Sequence, residues 1–207
     1  MPSGIYVDGE DKTRCWWCSG HDDYKEYHDT EWGCPVADDR LLFEKICLEG
    51  FQSGLSWLTI LRKREGFRAA FCDFNIREIA KFDGGQIKRL MNNSAIIRNR
   101  HKIEATINNA KRAIEMGKEF GSLGAFFWQY EPKMRRAALK NKEDACFHTT
   151  SGESTDMAKT LKKRGWKFVG PTTAYAFMQA MGMVNDHIAD CHCHERIEQL
   201  RRDFQRP

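Results

Sequence analysis

The 207-residue sequence has no internal repeat, no low-complexity tract and no Pro/Ser-rich linker, and its five prolines are scattered. These absences exclude a solenoid and a string of tethered modules. No uncharged apolar run approaches the length needed to cross a bilayer, so no membrane partner is expected. The chain also lacks a leader of charged, then apolar, then small residues, and a reducing, cytoplasmic setting is therefore expected. In such a setting the eight cysteines read as buried thiols or metal ligands rather than a disulfide framework. Clear β alternation is missing, which points to an all-α fold. A net charge of only +4 permits an anionic partner without demanding one.

With 41% hydrophobic residues, the chain can build the core of one domain, with at most a small second lobe. Residues 38–49 open on an Asp pair suited to capping and continue with apolar Leu42, Ile46 and Leu48. Residues 96–116 set Ile96, Ile103, Ile107, Ala110 and Ile114 at steps of seven, four, three and four, one stripe on one helix. Residues 154–167 and 172–182 predict two more helices, parted by "FVGP". The first dozen residues look like a loose tail, and the charged end "ERIEQLRRDFQRP" carries no motif.

"HIADCHCH" (187–194) and "CWWC" (15–18) concentrate Cys and His near opposite ends. On a helix, His187 and Cys191 would share a face and converge on one ion, and Cys15 and His28 can complete a tetrahedral set if the ends meet. Cys15, Cys18, Cys191 and Cys193 form a rival set, because Cys-x-Cys suits a loop. A redox role for "CWWC" lacks its usual βαβ surroundings, and plain buried thiols remain the simplest alternative. Aromatics form the second concentration: Trp16, Trp17, Tyr24, Tyr27, Trp32 and Trp57 lie within the first sixty residues. Most aromatics are core. Here "ICLEGFQSGLSWLTIL" sets a carboxylate, Glu49, at the end of an apolar helix beside a glycine-flanked turn, which suggests a pocket for a flat ligand bearing hydrogen-bond donors. A water-exposed helix-end Glu is the alternative.

"RCWW", "YHDTEWG", "ICLEGFQSGLSWLTILRKREGFRAAF", "IIRNRHKIEATINNA" and "LKKRGWKFVGPTTAYAFMQAMGMVNDHIADC" follow one another across residues 14–191. In that order they resemble the blocks of the 3-methyladenine DNA glycosylase I family of base-excision repair enzymes. The resemblance implies an all-α helix-hairpin-helix glycosylase fold over residues 14–195, between an N-terminal tail (1–13) and a charged C-terminal tail (196–207). It implies one structural Zn2+ per chain, held by Cys15, His28, His187 and Cys191 and joining the two ends, with Cys18, His192, Cys193 and His194 as bystanders. Trp17, Tyr24, Tyr27, Trp32 and Trp57 match the family's base pocket, Glu49 its base-reading carboxylate, and Gly54 and Leu55 the residues that fill the gap left by an extruded nucleotide. The implied partners are double-stranded alkylated DNA and free 3-methyladenine as product, with the enzyme a monomer.

The chemistry suits these residues. Methylation at N3 makes adenine a cationic leaving group that departs neutral, so extrusion and recognition are needed rather than a general acid. Glu49 would accept from the exocyclic amine of adenine but face an oxygen in guanine. Backbone N–H groups around residues 168–173, including Gly170, Thr172 and Thr173, can hold a phosphate beside Lys162, Lys163, Arg164 and Lys167. Two departures from the wider superfamily stand out: Phe168 replaces the first hairpin glycine, and Thr172 stands where bifunctional relatives carry a Schiff-base lysine, so no lyase step is expected. Asp186 and Asp190 receive no role. A zinc-dependent hydrolase would need an open coordination position, which four protein ligands deny. A non-catalytic zinc-stabilised DNA-binding module would have no use for an aromatic pocket with an embedded carboxylate.

Overall fold

The computed structural model describes residues 4–7, 9, 11–134 and 137–207. In chain order the elements are β1 (Ile5–Val7), β2 (Thr13–Cys15), α1 (Asp22–Thr30), α2 (Asp39–Gln52), α3 (Trp57–Leu61), α4 (Arg64–Ala70), α5 (Ile76–Ile79) and α6 (Gly84–Met91). They continue with α7 (Arg100–Phe120), α8 (Leu123–Phe127), α9 (Lys142–Phe147), α10 (Gly152–Lys163), α11 (Pro171–Ala180) and α12 (His194–Asp203). The protein is mostly helical, as its periodicity predicts.

Helix α2 is the hub, packing on α3, α7, α8 and α11. Asp38 caps it, accepting from the Leu41 N–H at 2.9 Å. Leu42, Phe43, Ile46, Cys47, Leu48 and Phe51 are all buried, and so are Glu44, Lys45 and Glu49. At its other end the Lys102 ammonium of α7 donates to the carbonyls of Phe51 (2.8 Å) and Ser53 (2.6 Å), satisfying acceptors that a helix end leaves open. The stripe read over 96–116 belongs to α7, which begins only at Arg100 because the Asn99 side chain caps it there, accepting from Lys102 N–H. Ser151 and Ser154 form a capping box that starts α10 two residues early, and Pro171 occupies the first turn of α11, where its fixed φ suits a helix.

Three expectations need correction. The stretch read as a loose N-terminal tail holds β1, paired antiparallel to β2 in the register Ile5↔Cys15, so the fold carries a small two-stranded sheet; residues 1–3, 8 and 10 of that stretch lie outside the described residues. The stretch read as a charged tail (196–207) holds most of α12, which starts two residues earlier at His194. Its Ile197 is fully buried, Arg201 donates to the carbonyls of Gly182 and Met183, and Phe204, just past the helix end, packs at a tilt against Trp128 with centroids 4.5 Å apart. Spaced four and three residues apart, these three make a docking stripe hidden among charges. Finally, His187 and Cys191 lie in a turn rather than a helix: Ile188 forms a parallel bridge with Leu139, and Cys191 N–H bonds to Ile188 C=O.

Candidate base pocket and metal cluster

The turn at 187–191 and the β2 end meet as the separated Cys/His clusters predict. Cys15, His28, His187 and Cys191 are buried, with their donor atoms within 4.8 Å of one another. Cys191 Sγ lies 3.5 Å from both His28 Nε2 and His187 Nδ1, and Cys15 Sγ lies 3.8 Å from His187 Nδ1. A tetrahedral zinc with S and N ligands at about 2.3 and 2.0 Å has an S···N edge of about 3.5 Å. The spacing therefore fits such an ion. The second nitrogen of each imidazole is tied outward: His28 Nδ1 sits 2.8 Å from Asp29 Oδ1, and His187 Nε2 sits 3.1 Å from the Trp32 carbonyl. Arg14 in turn grips Asp29 with Nε and Nη2. Outer partners of this kind fix the ring orientation of metal ligands. Cys18 bonds to the Cys15 carbonyl instead, while the fully buried Cys193 and the exposed His192 lie beside the cluster near Asp29.

The aromatic residues share a wall with this cluster. Trp17 lies edge-on to Trp32 (4.9 Å between centroids) and His28 (5.1 Å), and Trp32 is edge-on to His187 (4.7 Å). From there Trp17 reaches Tyr24 (4.9 Å), and Tyr27 reaches Trp57 (5.4 Å). Together Trp17, Tyr24, Tyr27, Trp32, Trp57 and Glu49 line a cavity of about 280 Å³. Glu49 is only 6% exposed, so the water-exposed alternative does not hold. Burial pushes the Tyr24 hydroxyl up to about 12 and the Tyr27 hydroxyl well above its ordinary value, with the Glu49 charge adding to both, so both remain neutral. The Trp57 indole N–H is buried without an acceptor among the described residues.

Sequence reasoning missed Lys45. It sits one helical turn before Glu49, its Nζ 2.7 Å from Glu49 Oε1, 2.8 Å from Tyr27 Oη and 3.3 Å from the centroid of the Trp57 ring. The available signal was a Lys/Glu pair four residues apart around the apolar run 46–48. Asp186 also lines the cavity; it is buried and accepts from Tyr175 Oη (2.7 Å) and Gln179 Nε2 (2.8 Å), whereas Asp190 is exposed.

A second, open concavity of about 760 Å³ lies over the α10–α11 turn, lined by Lys162, Lys167, Gly170, Thr173 and the unforeseen Lys159. Asn109 of α7 clamps this turn, donating to the Lys167 carbonyl and accepting from its N–H, both at 2.9 Å. Phe168 adopts φ of 56°, the left-handed conformation that a glycine would take without strain. Lys163 is exposed, and Thr172 lines the aromatic cavity rather than this concavity. Arg164 does not join the lysines: its guanidinium pairs with both oxygens of Glu119 and lies over the Phe120 ring. Gly54, at φ of 80°, and the exposed Leu55 form the turn between α2 and α3.

Comparison with known proteins agrees with this geometry. The family model for methyladenine glycosylase matches residues 17–194. DNA-3-methyladenine glycosylase of Haemophilus influenzae is 46% identical over 182 residues, 87% of this chain and 97% of that one. DNA-3-methyladenine glycosylase 1 of Escherichia coli is 42% identical, covering 87% of this chain and 96% of its own. A solved 3-methyladenine DNA glycosylase I from Staphylococcus aureus, described for its recognition of 3-methyladenine, superposes with a TM-score of 0.82 at 34% identity, over 87% of this chain and 96% of that one. The chain belongs to the methyladenine glycosylase family.

Proposed function

We propose that this member of an enzyme family acting on N-glycosyl bonds releases 3-methyladenine from alkylated double-stranded DNA, with Glu49 and its aromatic surroundings as the base pocket. The observation that carries the reading is a buried carboxylate in the wall of a cavity otherwise built from Trp17, Tyr24, Tyr27, Trp32 and Trp57. An extruded 3-methyladenine nucleotide is flat and cationic. The rings supply π faces for it, and Glu49 accepts a hydrogen bond from its exocyclic amine. When the C1′–N9 bond breaks, its electron pair neutralises the base, so no proton donor is required. A water oxygen adds to C1′ and releases its proton. Guanine would set its O6 against the Glu49 carboxylate, and unmodified adenine lacks the labile bond. With Thr172 in place of a lysine, the reaction stops at the abasic site.

The α10–α11 turn is the proposed DNA anchor. N–H groups at the start of α11 meet a phosphate, with Lys162 and Lys167 beside it. Gly54 and Leu55, at the tip of the α2–α3 turn held by Lys102, fill the space vacated in the duplex. Cys15, His28, His187 and Cys191 would hold one zinc ion, whose contribution is structural: it ties β2 and α1 to the turn before α12 and so steadies Trp17 and Trp32. The enzyme is read as a monomer acting in the cytoplasm.

The decisive experiment is release of free base from methylated DNA by the wild type and by Glu49→Gln, with calorimetry on free 3-methyladenine and 3-methylguanine. Glu49→Gln should weaken 3-methyladenine binding by on the order of 1.5–3 kcal/mol, the worth of a hydrogen bond to a charged group. It should also narrow the adenine preference, because the amide offers a donor to guanine O6. Unchanged affinity and preference would show that Glu49 does not read the base.

A further inference from the structure

Lys45 has surroundings that a helix-surface lysine never has. It is 6% exposed, and its ammonium has three partners: the Glu49 carboxylate at 2.7 Å, the Tyr27 hydroxyl at 2.8 Å and the face of Trp57 at 3.3 Å. All three belong to the proposed base pocket, and Lys45 itself lines the cavity. Stability does not account for it, because a buried ion pair repays its desolvation poorly compared with an apolar pair of the same shape. Of the other charges nearby, Arg64 pairs with Glu31 and Arg68 with Glu44, and Asp186, across the cavity on its own wall, accepts from Tyr175 Oη and Gln179 Nε2. On the α2 wall of the cavity, Lys45 and Glu49 therefore set the charge that an incoming base meets.

We propose that Lys45 is the charge-balancing residue of the base pocket: its ammonium offsets the Glu49 carboxylate, so the pocket favours the neutral base that leaves over the cationic base that arrives. The inference rests on the reading of Glu49 as the base acceptor. A lone carboxylate would attract the methylated base most strongly before the C1′–N9 bond breaks. As that bond's electron pair moves onto the ring and positive charge passes to the sugar, the attraction fades, so a lone carboxylate stabilises the ground state more than the transition state. Such binding does not accelerate chemistry. With Lys45 beside it, Glu49 keeps its hydrogen-bond geometry toward the amine while its pull on the positive charge of the base is offset. The ammonium over Trp57 also opposes positive charge on a ring stacked nearby, an opposition that bond cleavage relieves.

The test is single-turnover cleavage of a duplex containing 3-methyladenine, measured at neutral pH, where an ammonium whose pKa burial lowers is best kept charged, against enzyme concentration for the wild type, Lys45→Met, Lys45→Gln, Lys45→Arg and Glu49→Gln. Lys45→Met and Lys45→Gln should lower both the half-saturating concentration and the maximal rate, each by about tenfold, as expected when ground-state opposition is removed. Lys45→Arg should restore both. Lys45→Gln retains a hydrogen-bonding partner for Glu49 and carries the test if the methionine variant folds poorly. A lower half-saturating concentration with an unchanged or faster maximal rate would mean that Lys45 merely obstructs the pocket, which overturns the proposal. So would a slower rate with no tightening, or failure of Lys45→Arg to restore either quantity. If Glu49→Gln loses base preference while the Lys45 variants behave as wild type, only the Lys45 assignment fails; if Glu49→Gln is also without effect, the pocket reading fails first.

Discussion

The Cys/His cluster and the proposed base pocket share a wall of two tryptophans, yet they are built on opposite principles. In the cluster every donor atom points inward and every remaining polar atom is held from outside, by Asp29, Arg14 and the Trp32 carbonyl. Four side chains from the two ends of the chain thus have one shared orientation. The pocket, by contrast, holds charge that the protein satisfies internally, the Lys45–Glu49 pair, beside an indole N–H without an acceptor among the described residues. A structural site gains from being over-determined, whereas a recognition site keeps bonding capacity in reserve for its ligand.

Breaking the cluster should therefore cost stability first. Cys191→Ser removes a thiolate from the set, and a loss on the order of 4 kcal/mol, part of the large free energy that structural zinc supplies, would lower Tm by about 8–16 °C for a chain of this size. Metal analysis of the wild type should give one zinc per chain, and the folded fraction of the variant should bind free 3-methyladenine within about tenfold of the wild type. A variant that melts like the wild type and contains as much zinc would contradict the ligand assignment.

Loosening the outer partners tests the same contrast more gently. Asp29→Asn keeps the shape but weakens the acceptor for His28 Nδ1 and half of the Arg14 pair. Zinc affinity, measured by competition with a chromogenic chelator, should fall by about 10–100-fold, the usual cost of losing such a partner. Base affinity should stay near the wild-type value.

The cluster was far more legible in the sequence than the pocket's electrostatics, for a physical reason. Cys and His are rare enough that the two terminal clusters holding Cys15, His28, His187 and Cys191 stand out, although spacing leaves Cys15, Cys18, Cys191 and Cys193 as a rival set, and the turn that carries His187 and Cys191 has helical spacing without being a helix. Lys45 and Glu49 are the commonest kind of helical pair, normally solvated and worth little, and only the burial of α2 on every side makes them unusual. Periodicity located α2, α7, α10 and α11, but α12 was hidden because its buried residues are only Ile197 and Arg201, with the half-buried Phe204 just past its end, within a run of charges. The short strands escaped because three residues are too few to show alternation. Arg164 looked like one more cation in a basic run until its partner proved to be Glu119, 45 positions away.

The hairpin separates charge from backbone in the proposed DNA anchor. Lys167→Ala should weaken binding equally for damaged and intact duplexes and reduce the salt dependence by about one counterion, because a phosphate contact carries no base information. Fluorescence anisotropy across a salt series measures this. A loss confined to damaged DNA would place Lys167 in base recognition instead.

Phe168 offers the smallest and most discriminating change. Its φ of 56° costs a non-glycine residue roughly 1 kcal/mol, whereas glycine at this position gives up about the same through the greater freedom of the unfolded chain. These terms oppose one another, so Phe168→Gly should shift Tm by no more than about 2–4 °C. The backbone course past the turn is fixed elsewhere, by the two Asn109 bonds to Lys167 and by Pro171 at the start of α11. The N–H groups should therefore keep their direction and DNA affinity should be retained. Phe168 is, however, exposed over 40% of its surface at the edge of the basic concavity. If Phe168→Gly leaves Tm in place but lowers affinity for duplex DNA tenfold or more, the aromatic ring itself touches the nucleic acid, and the departure from glycine is a contact rather than a tolerated strain.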